Sequence, residues 1–364
     1  MTMGPAPSTD SKETKLEELD ALELRPVPRL HLQHAARCAV QAPSPWNTQP
    51  WLLRIGERSL EVWADRSRNL KLADPHQREL TIACGAAAQH AAVALERLGW
   101  KVEIDYLPEF RTPDCLARIT LIARKSAGIE SRELYSALWR RHTQRGAYPR
   151  TDLCGHVGEA LKVAALREGT LPEFFVDERR ARLSELVEAG MLVQGRNSEL
   201  RRERLEWIGR AAGRPADGIA ARELGLACVP QALMPLLMGT EWGIRKRARR
   251  EAELVREAPC VLLLSSTHEE PAEWLRAGAA LGRVLLVATA AGLVASFHDA
   301  AIEVPHLRHA VRQLAGNAAF PQVLLRLGYG TPAEGAGRRE LSEICFDETS
   351  SQCNRGGVPC PLVL

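Results

Sequence analysis

"RELTIACGAAAQHAAVALERLGW", Arg78 to Trp100, reads as a helix, and its centre recurs later in the chain. Cys84-Gly-Ala-Ala-Ala followed by Gly99 has a counterpart in "AGAALGRVLLVATAAG", Ala277 to Gly292, where Gly278, Ala279, Ala280 and Gly292 occupy matching places. The spacing is constant: Gly278 lies 193 residues after Gly85, and Gly292 lies 193 residues after Gly99. Element order recurs as well, because "LEVWAD" precedes the first helix as "CVLLLSS" precedes the second, and "ARITLIA" follows the first as "QVLLRLGY" follows the second. Two Ala/Gly-rich helices can look alike by chance, but agreement in the surrounding order points to an internal duplication.

The composition leaves room for two such units. A chain of 364 residues with 45% hydrophobic and 26% charged residues is long enough for two domain-sized cores. The net charge of +3, carried by 41 arginines and seven lysines, does not imply bulk nucleic-acid binding, while arginine supplies planar forks suited to phosphate. Nine cysteines are scattered without a C-x-x-C pair, which argues against a disulfide framework or zinc knuckle and fits a reducing cytoplasm. Residues 1–26 are polar, read as a disordered leader, and lack the apolar stretch of a signal peptide. No uninterrupted apolar run reaches membrane-spanning length.

Outward from the first helix, "RLHLQHAARCAVQ" reads as a short helix, "WLLRI" and "LEVWAD" as a hairpin around Gly56, and "KVEIDYL" and "ARITLIA" as strands. The first half is expected over 27–135 and the second over 136–345, with a disordered tail at 346–364. The halves differ at about 177–250, a charged and largely helical insertion where the first half has only "RNLKLADPHQ". Its stripe Leu183, Leu186, Val187 and Met191 must rest on apolar surface, either as a lid over the groove between the halves or within a helical hairpin of its own.

Two loops carry the candidate chemistry. "QAPSPWNTQPW", Gln41 to Trp51, packs three prolines, two tryptophans, three amides and two hydroxyls into eleven residues. Such a rigid, amide-rich, aromatic-walled loop suits a flat heteroaromatic ligand. "WRRHTQRGAYPR", Trp139 to Arg150, sets Arg140, Arg141 and Arg145 around the hydroxyl of Thr143. That arrangement suits a phosphate monoester, and its bland alternative is a solvated basic turn.

Together the loops resemble the two signature segments of the FMN-dependent nitroreductase family, an R-x-S-x-R-like stretch and an S-P-S-x-x-N-x-Q-P-W-like stretch. The resemblance runs through the Gly/Ala helix into "VLLRLGYGTP" and covers most of residues 30–344 outside the insertion, in the manner of the family's duplicated single-chain branch. It implies an α+β fold: two tandem nitroreductase-like halves, each a small sheet flanked by helices, packed through the Gly/Ala helices as an intramolecular pseudo-dimer. It also implies FMN at the interface. Arg141, His142, Thr143 and Arg145 fall on the family's phosphate and ribityl contacts, with Arg145 available to charge near flavin N1 and O2. Pro43, Ser44, Asn47 and Gln49 fall on the flavin-facing loop, Pro45 stands where a second Ser is common, and Trp46 thickens the wall. Arg338 and Arg339, after "GYG", match basic residues that close over the phosphate.

One site is expected to be complete. The amide loop survives only in the first half and the arginine loop only in the second, and the counterpart "REGTLPEFF" lacks the amides. The activity implied is hydride transfer from NAD(P)H through flavin N5 to a nitroaromatic or quinone acceptor, by a monomer with no nucleic-acid or membrane partner and no essential protein acid or base. The alternative is an FMN storage protein whose flavin is covered by the insertion. The pairs His31/His34 and His306/His309 have no third ligand and read as packing residues, and "GYGTPA" is followed by too little chain for a dinucleotide-binding unit.

Overall fold

The computed structural model describes residues 27–213, 216–224, 234–316, 318–331 and 335–347; the expected leader and the tail beyond 347 lie outside them. In the first half, α1 (Pro28–Ala39) leads into β1 (Trp51–Ile55), β2 (Ser59–Ala64), α2 (Arg78–Arg97), β3 (Trp100–Tyr106), β4 (Cys115–Arg124) and α3 (Ile129–Leu138). The second half repeats the series: α4 (Gly155–Arg167) and β5 (Leu171–Phe175) come first. The insertion follows, with α5 (Asp177–Arg196), α6 (Ser198–Gly213), a 3-10 turn (Ala221–Leu224), α7 (Met234–Gly239) and α8 (Glu241–Arg256). The series resumes with β6 (Cys260–Ser266), α9 (Pro271–Ala290), β7 (Leu293–Phe297), α10 (Ala300–Glu303), α11 (Pro305–Ala315), β8 (Phe320–Tyr329), α12 (Leu341–Ile344) and β9 (Cys345–Asp347).

The sheets have the same topology. Strands run β3-β4-β2-β1 in one and β7-β8-β6-β5 in the other, antiparallel at every one of these contacts. Equal order and equal polarity on both sides of the matched helices α2 and α9 are what a duplicated unit gives. The first sheet gains a fifth strand, because β9 returns from the end of the chain to pair parallel with β1, Leu53 against Cys345 and Ile55 against Asp347. Phe346 and Asp347, expected in a disordered tail, are therefore strand residues. The expected boundary at 135/136 also falls inside α3.

Helix α2 is buried without a break from Arg78 to Leu95, because its own sheet lies on one side and α9 on the other. Its small residues permit that approach: a Cβ on Gly278 would lie 2.0 Å from the Ile82 carbonyl oxygen, and one on Gly85 would lie 2.2 Å from that of Leu275. Asp74 starts the helix by accepting from the Arg78 and Leu80 backbone N–H groups at 2.8 and 2.9 Å.

The stripe of the insertion rests on the second half. Leu183 and Val187 are buried with Phe175, Val255, Ile302 and Val311, and Leu186 and Met191 pack beside them. No helix among the described residues is long and apolar enough to cross a membrane.

Candidate functional site

A cavity of about 300 Å³ lies where the two halves and the insertion meet. From the first half it receives Pro43, Ser44 and Trp46 of the amide loop and Glu79 and Ile82 of α2; from the second, Thr143, Arg145, Ser296, His298 and Asp299. Helices α5, α6 and α8 cover it with Met191, Arg201, Arg204, Arg247 and Glu251. The insertion thus supplies part of the cavity wall, while its Leu183 and Val187 stripe packs on the second half.

The amide loop is held in an uncommon shape. Trp46, Asn47 and Gln49 have φ of 51, 54 and 48°, left-handed values that side chains other than Asn seldom adopt. Ser44 Oγ accepts from the Gln49 backbone N–H at 2.9 Å and closes the turn. Asn47 and Gln49 do not line the cavity. Asn47 Nδ2 donates to the carbonyls of Gly218 and Gly337, both at 3.1 Å, and Gln49 Nε2 to that of Ala216 at 2.6 Å, so these amides tie the loop to the insertion and to the C-terminal segment.

The arginine loop is strapped to β7, with Thr143 bridged to Ala295 and the Gln144 N–H donating to the Ala295 carbonyl at 2.9 Å. Arg326 on β8 braces it from behind. Its Nη2 donates to the Arg145 and Gly146 carbonyls at 2.9 and 2.8 Å, and its Nε donates to His298 Nε2 at 2.7 Å. His298 must then be the neutral tautomer with its proton on Nδ1, facing Glu251 of α8 at 3.3 Å. Burial and the Arg326 charge push its pKa down to about 3.

The guanidinium groups of buried Arg141 and half-buried Arg338 act on one another electrostatically. Each Nε is buried without a hydrogen-bond partner, and among the described residues neither guanidinium pairs with a carboxylate. Arg141 Nη2 reaches only the Gln41 carbonyl, at 3.2 Å; Arg338 Nη1 donates to Asn47 Oδ1 at 3.2 Å and to its neighbouring carbonyls. Burial and the Arg338 charge lower the Arg141 pKa to about 9, and burial lowers that of Arg338 to about 10. Each Nε is thus a buried donor left open, although neither arginine is among the residues lining the cavity. Arg339 is engaged elsewhere, its N–H donating to Gln49 Oε1 at 2.9 Å and its guanidinium facing Asp65 at 3.4 Å. His142 packs against Gly335.

Glu79 and Asp299 also line the cavity. Burial and neighbouring carboxylates, Glu303 foremost, hold Glu79 well above the usual carboxylate range, and burial raises Asp299 to about 7. These acids, Arg326 and the arginines of the insertion were not singled out in the sequence. Only Arg326 left a signal, as a lone charge inside the apolar run "VLLRLGY".

The pseudo-equivalent position is filled differently. Arg283 stands on α9 where His90 stands on α2, and it pairs with Glu168 at 2.6 Å and Glu130 at 3.1 Å. Its charge is met by these two carboxylates. His31 and His34 are packing residues: His31 Nδ1 accepts from Trp100 Nε1 at 2.7 Å, and His34 Nε2 meets the Tyr135 hydroxyl at 2.9 Å.

Over 316 residues the chain is 31% identical to the Mycobacterium tuberculosis H37Rv protein named "Putative NAD(P)H nitroreductase Rv3131", covering 84% of this chain and 88% of that protein. The chain belongs to the nitroreductase family. A second relative, "Putative NAD(P)H nitroreductase acg" of the same organism, is 26% identical over 317 residues, 86% of this chain and 94% of that protein. Among solved structures, the FMN-dependent nitroreductase NfnB from Mycobacterium smegmatis in complex with NADPH aligns with 59% of this chain and 96% of its own, at 17% identity and a TM-score of 0.41. No family model matches the chain.

Proposed function

We propose that this nitroreductase-family chain binds one FMN between its halves and passes hydride from NAD(P)H to a nitroaromatic or quinone. The observation that carries the reading is the electrostatically interacting pair Arg141 and Arg338, whose Nε atoms are buried without hydrogen-bond partners and suit a phosphate dianion. When bound, FMN supplies two-electron chemistry at its N5. Arg141, Thr143 and Arg338 hold the phosphate, and His142 and Arg339 stand behind them. Pro43, Ser44 and Trp46 wall the cavity that would receive the ring, and Arg145 would balance negative charge on it only by giving up its pair with Glu223. Asn47 and Gln49 reach the ring only by exchanging their bonds to the Ala216 and Gly218 carbonyls. Arg283, at the place in the second half that matches His90, is already paired with Glu168 and Glu130, which supports a single site, so a monomer suffices.

A second reading has its own support. The insertion is latched to both site loops, by Arg145 to Glu223 at 2.7 Å, by the buried pair Arg68 and Asp217, and by Asn47 to Gly218. A covered flavin fits storage with little turnover. The absorbance spectrum of the purified chain, its phosphate-to-protein ratio and stopped-flow mixing with NADPH under anaerobic conditions test both readings. One FMN per chain with fast reduction and turnover on a quinone supports the enzyme. One FMN with negligible reduction supports storage, and no FMN after reconstitution rejects both.

A further inference from the structure

The inner face of the insertion carries charge that neither the cofactor nor the fold accounts for. Arg201 and Arg204 of α6 and Arg247 of α8 all line the cavity. Arg204 has an occupation, because it pairs with Glu303 at 3.2 Å, donates to Gln194 Oε1 at 2.7 Å and lies 5.6 Å over the Trp46 ring, although its buried Nε has no partner. Arg201 and Arg247 bond only to backbone carbonyls, those of Gly195 and Met238, and among the described residues neither faces a carboxylate within ion-pair distance. The three charges crowd one another: burial, then Arg204, then Arg201 lower the Arg247 pKa. A fold gains nothing from turning three guanidinium groups inward towards one another. Beside them the wall is apolar, with Trp46, Ile219, Met238 and Ile244.

We propose that Arg201 and Arg247, steadied by Arg204, form an anion subsite on the underside of the insertion, selecting a cavity ligand that joins a flat aromatic body to a carboxylate or phosphate. The apolar wall takes the flat body, and the open donors take the anion in a water-poor setting where charge-assisted bonds are strongest. This subsite is separate from the Arg141 and Arg338 pair, which comes from other elements. The inference rests on the cavity being the substrate cavity of the proposed function. The anion belongs either to an acidic acceptor or to the 2′-phosphate of NADPH, one chemistry from two sources.

The test uses the full FMN-loaded chain and two matched pairs of probes, 4-nitrobenzoate against 4-nitrobenzamide and NADPH against NADH, with dissociation constants read from flavin difference spectra. The anionic member of at least one pair is expected to bind about tenfold more tightly, and the double substitution Arg201→Gln with Arg247→Gln to abolish that preference, leaving FMN content and the neutral member's affinity unchanged. Loss confined to the first pair assigns the anion to the acceptor, and loss confined to the second assigns it to the donor. In the wild-type chain, rising salt should weaken the anionic probe selectively, a measurement that does not depend on the variant folding. Calorimetry of 4-nitrobenzoate with FMN-free chain separates failure of the flavin reading from failure of the subsite. Equal affinities within both pairs, or a preference that survives the double substitution in folded yellow protein, would overturn the proposal.

Discussion

Gly85 and Gly278 meet at the crossing of α2 and α9, each occupying the same place in its half of the chain: the Cβ position of Gly278 lies 2.9 Å from the Gly85 Cα. This is an isologous contact of the kind found on the two-fold axis of a homodimer, made here within one chain. A methyl group at either position has backbone, not a flexible side chain, to displace. Gly278→Ala should therefore destabilise the chain by about 1–3 kcal/mol or more, as overpacking does. Gly158→Ala, in α4 with open space around it, should stabilise by up to about 1 kcal/mol through helix propensity. Thermal unfolding of the two variants checks the contrast, and equal shifts would remove the close-approach argument.

Arg141→Met keeps the bulk of the side chain and removes its charge. FMN affinity should fall by about 2–3 kcal/mol with the loss of a charge-assisted bond to a buried anion. The FMN-free chain should lose no thermal stability, because Arg338 is freed from a neighbouring buried cation. Arg150→Met serves as the control, since that side chain is largely exposed and pairs only with Glu257 at the surface. Similar flavin titrations for the two variants would reduce the arginine loop to a basic surface.

Two buried groups give stability opposite dependences on pH. Asp299 has its folded pKa raised to about 7, so its contribution is full below the unfolded value near 4 and is lost as pH rises through 7. The carboxyl accepts from the Leu324 N–H at 2.7 Å, which an amide oxygen can also do. Around it lie Glu303 and Arg78. Asp299→Asn should consequently raise the melting temperature more at pH 8 than at pH 5. His298, with its folded pKa lowered to about 3, contributes stability above its unfolded value near 6.5 and loses it as pH falls. Replacing His298 by Gln should flatten the acid limb and leave the alkaline limb alone.

What the sequence made legible was local or periodic. The 193-residue spacing of Gly85 and Gly278 announced both the duplication and the contact that joins the halves, and the two loops announced themselves by proline, amides and arginines within a dozen residues. Arg338 and Arg339 were found by their place after the last strand, and the structure brings both against the amide loop. What stayed hidden depends on folding over long distances. Three residues of β9 reach β1 from about 290 positions away, and no pattern that short specifies a partner. Glu79 and Asp299 come to line one cavity only because folding brings α2 and the start of α10 to it, while Arg201 and Arg247 look in sequence like any solvated helix charge.

The last expectation concerns the latch between the insertion and the site loops. Arg68 and Asp217 are paired and mostly buried, with side-chain exposures of 11% and 6%, and Arg145 pairs with Glu223 one turn further along. Removing one partner of a buried pair leaves an uncompensated charge and costs about 3–5 kcal/mol in the state that buries it. Here that state is the covered cavity, so Asp217→Asn with Glu223→Gln should shift the population towards an open insertion. If opening gates access of NADPH to the flavin, reduction should become at least about tenfold faster, with FMN still bound. Glu241→Gln supplies the comparison, because its pair with Arg196, also within the insertion, is half exposed and should contribute almost nothing. Stopped-flow traces that coincide for the wild type, the latch variant and the outer control would mean that the insertion opens freely, and that access to the flavin is limited by something other than these ion pairs.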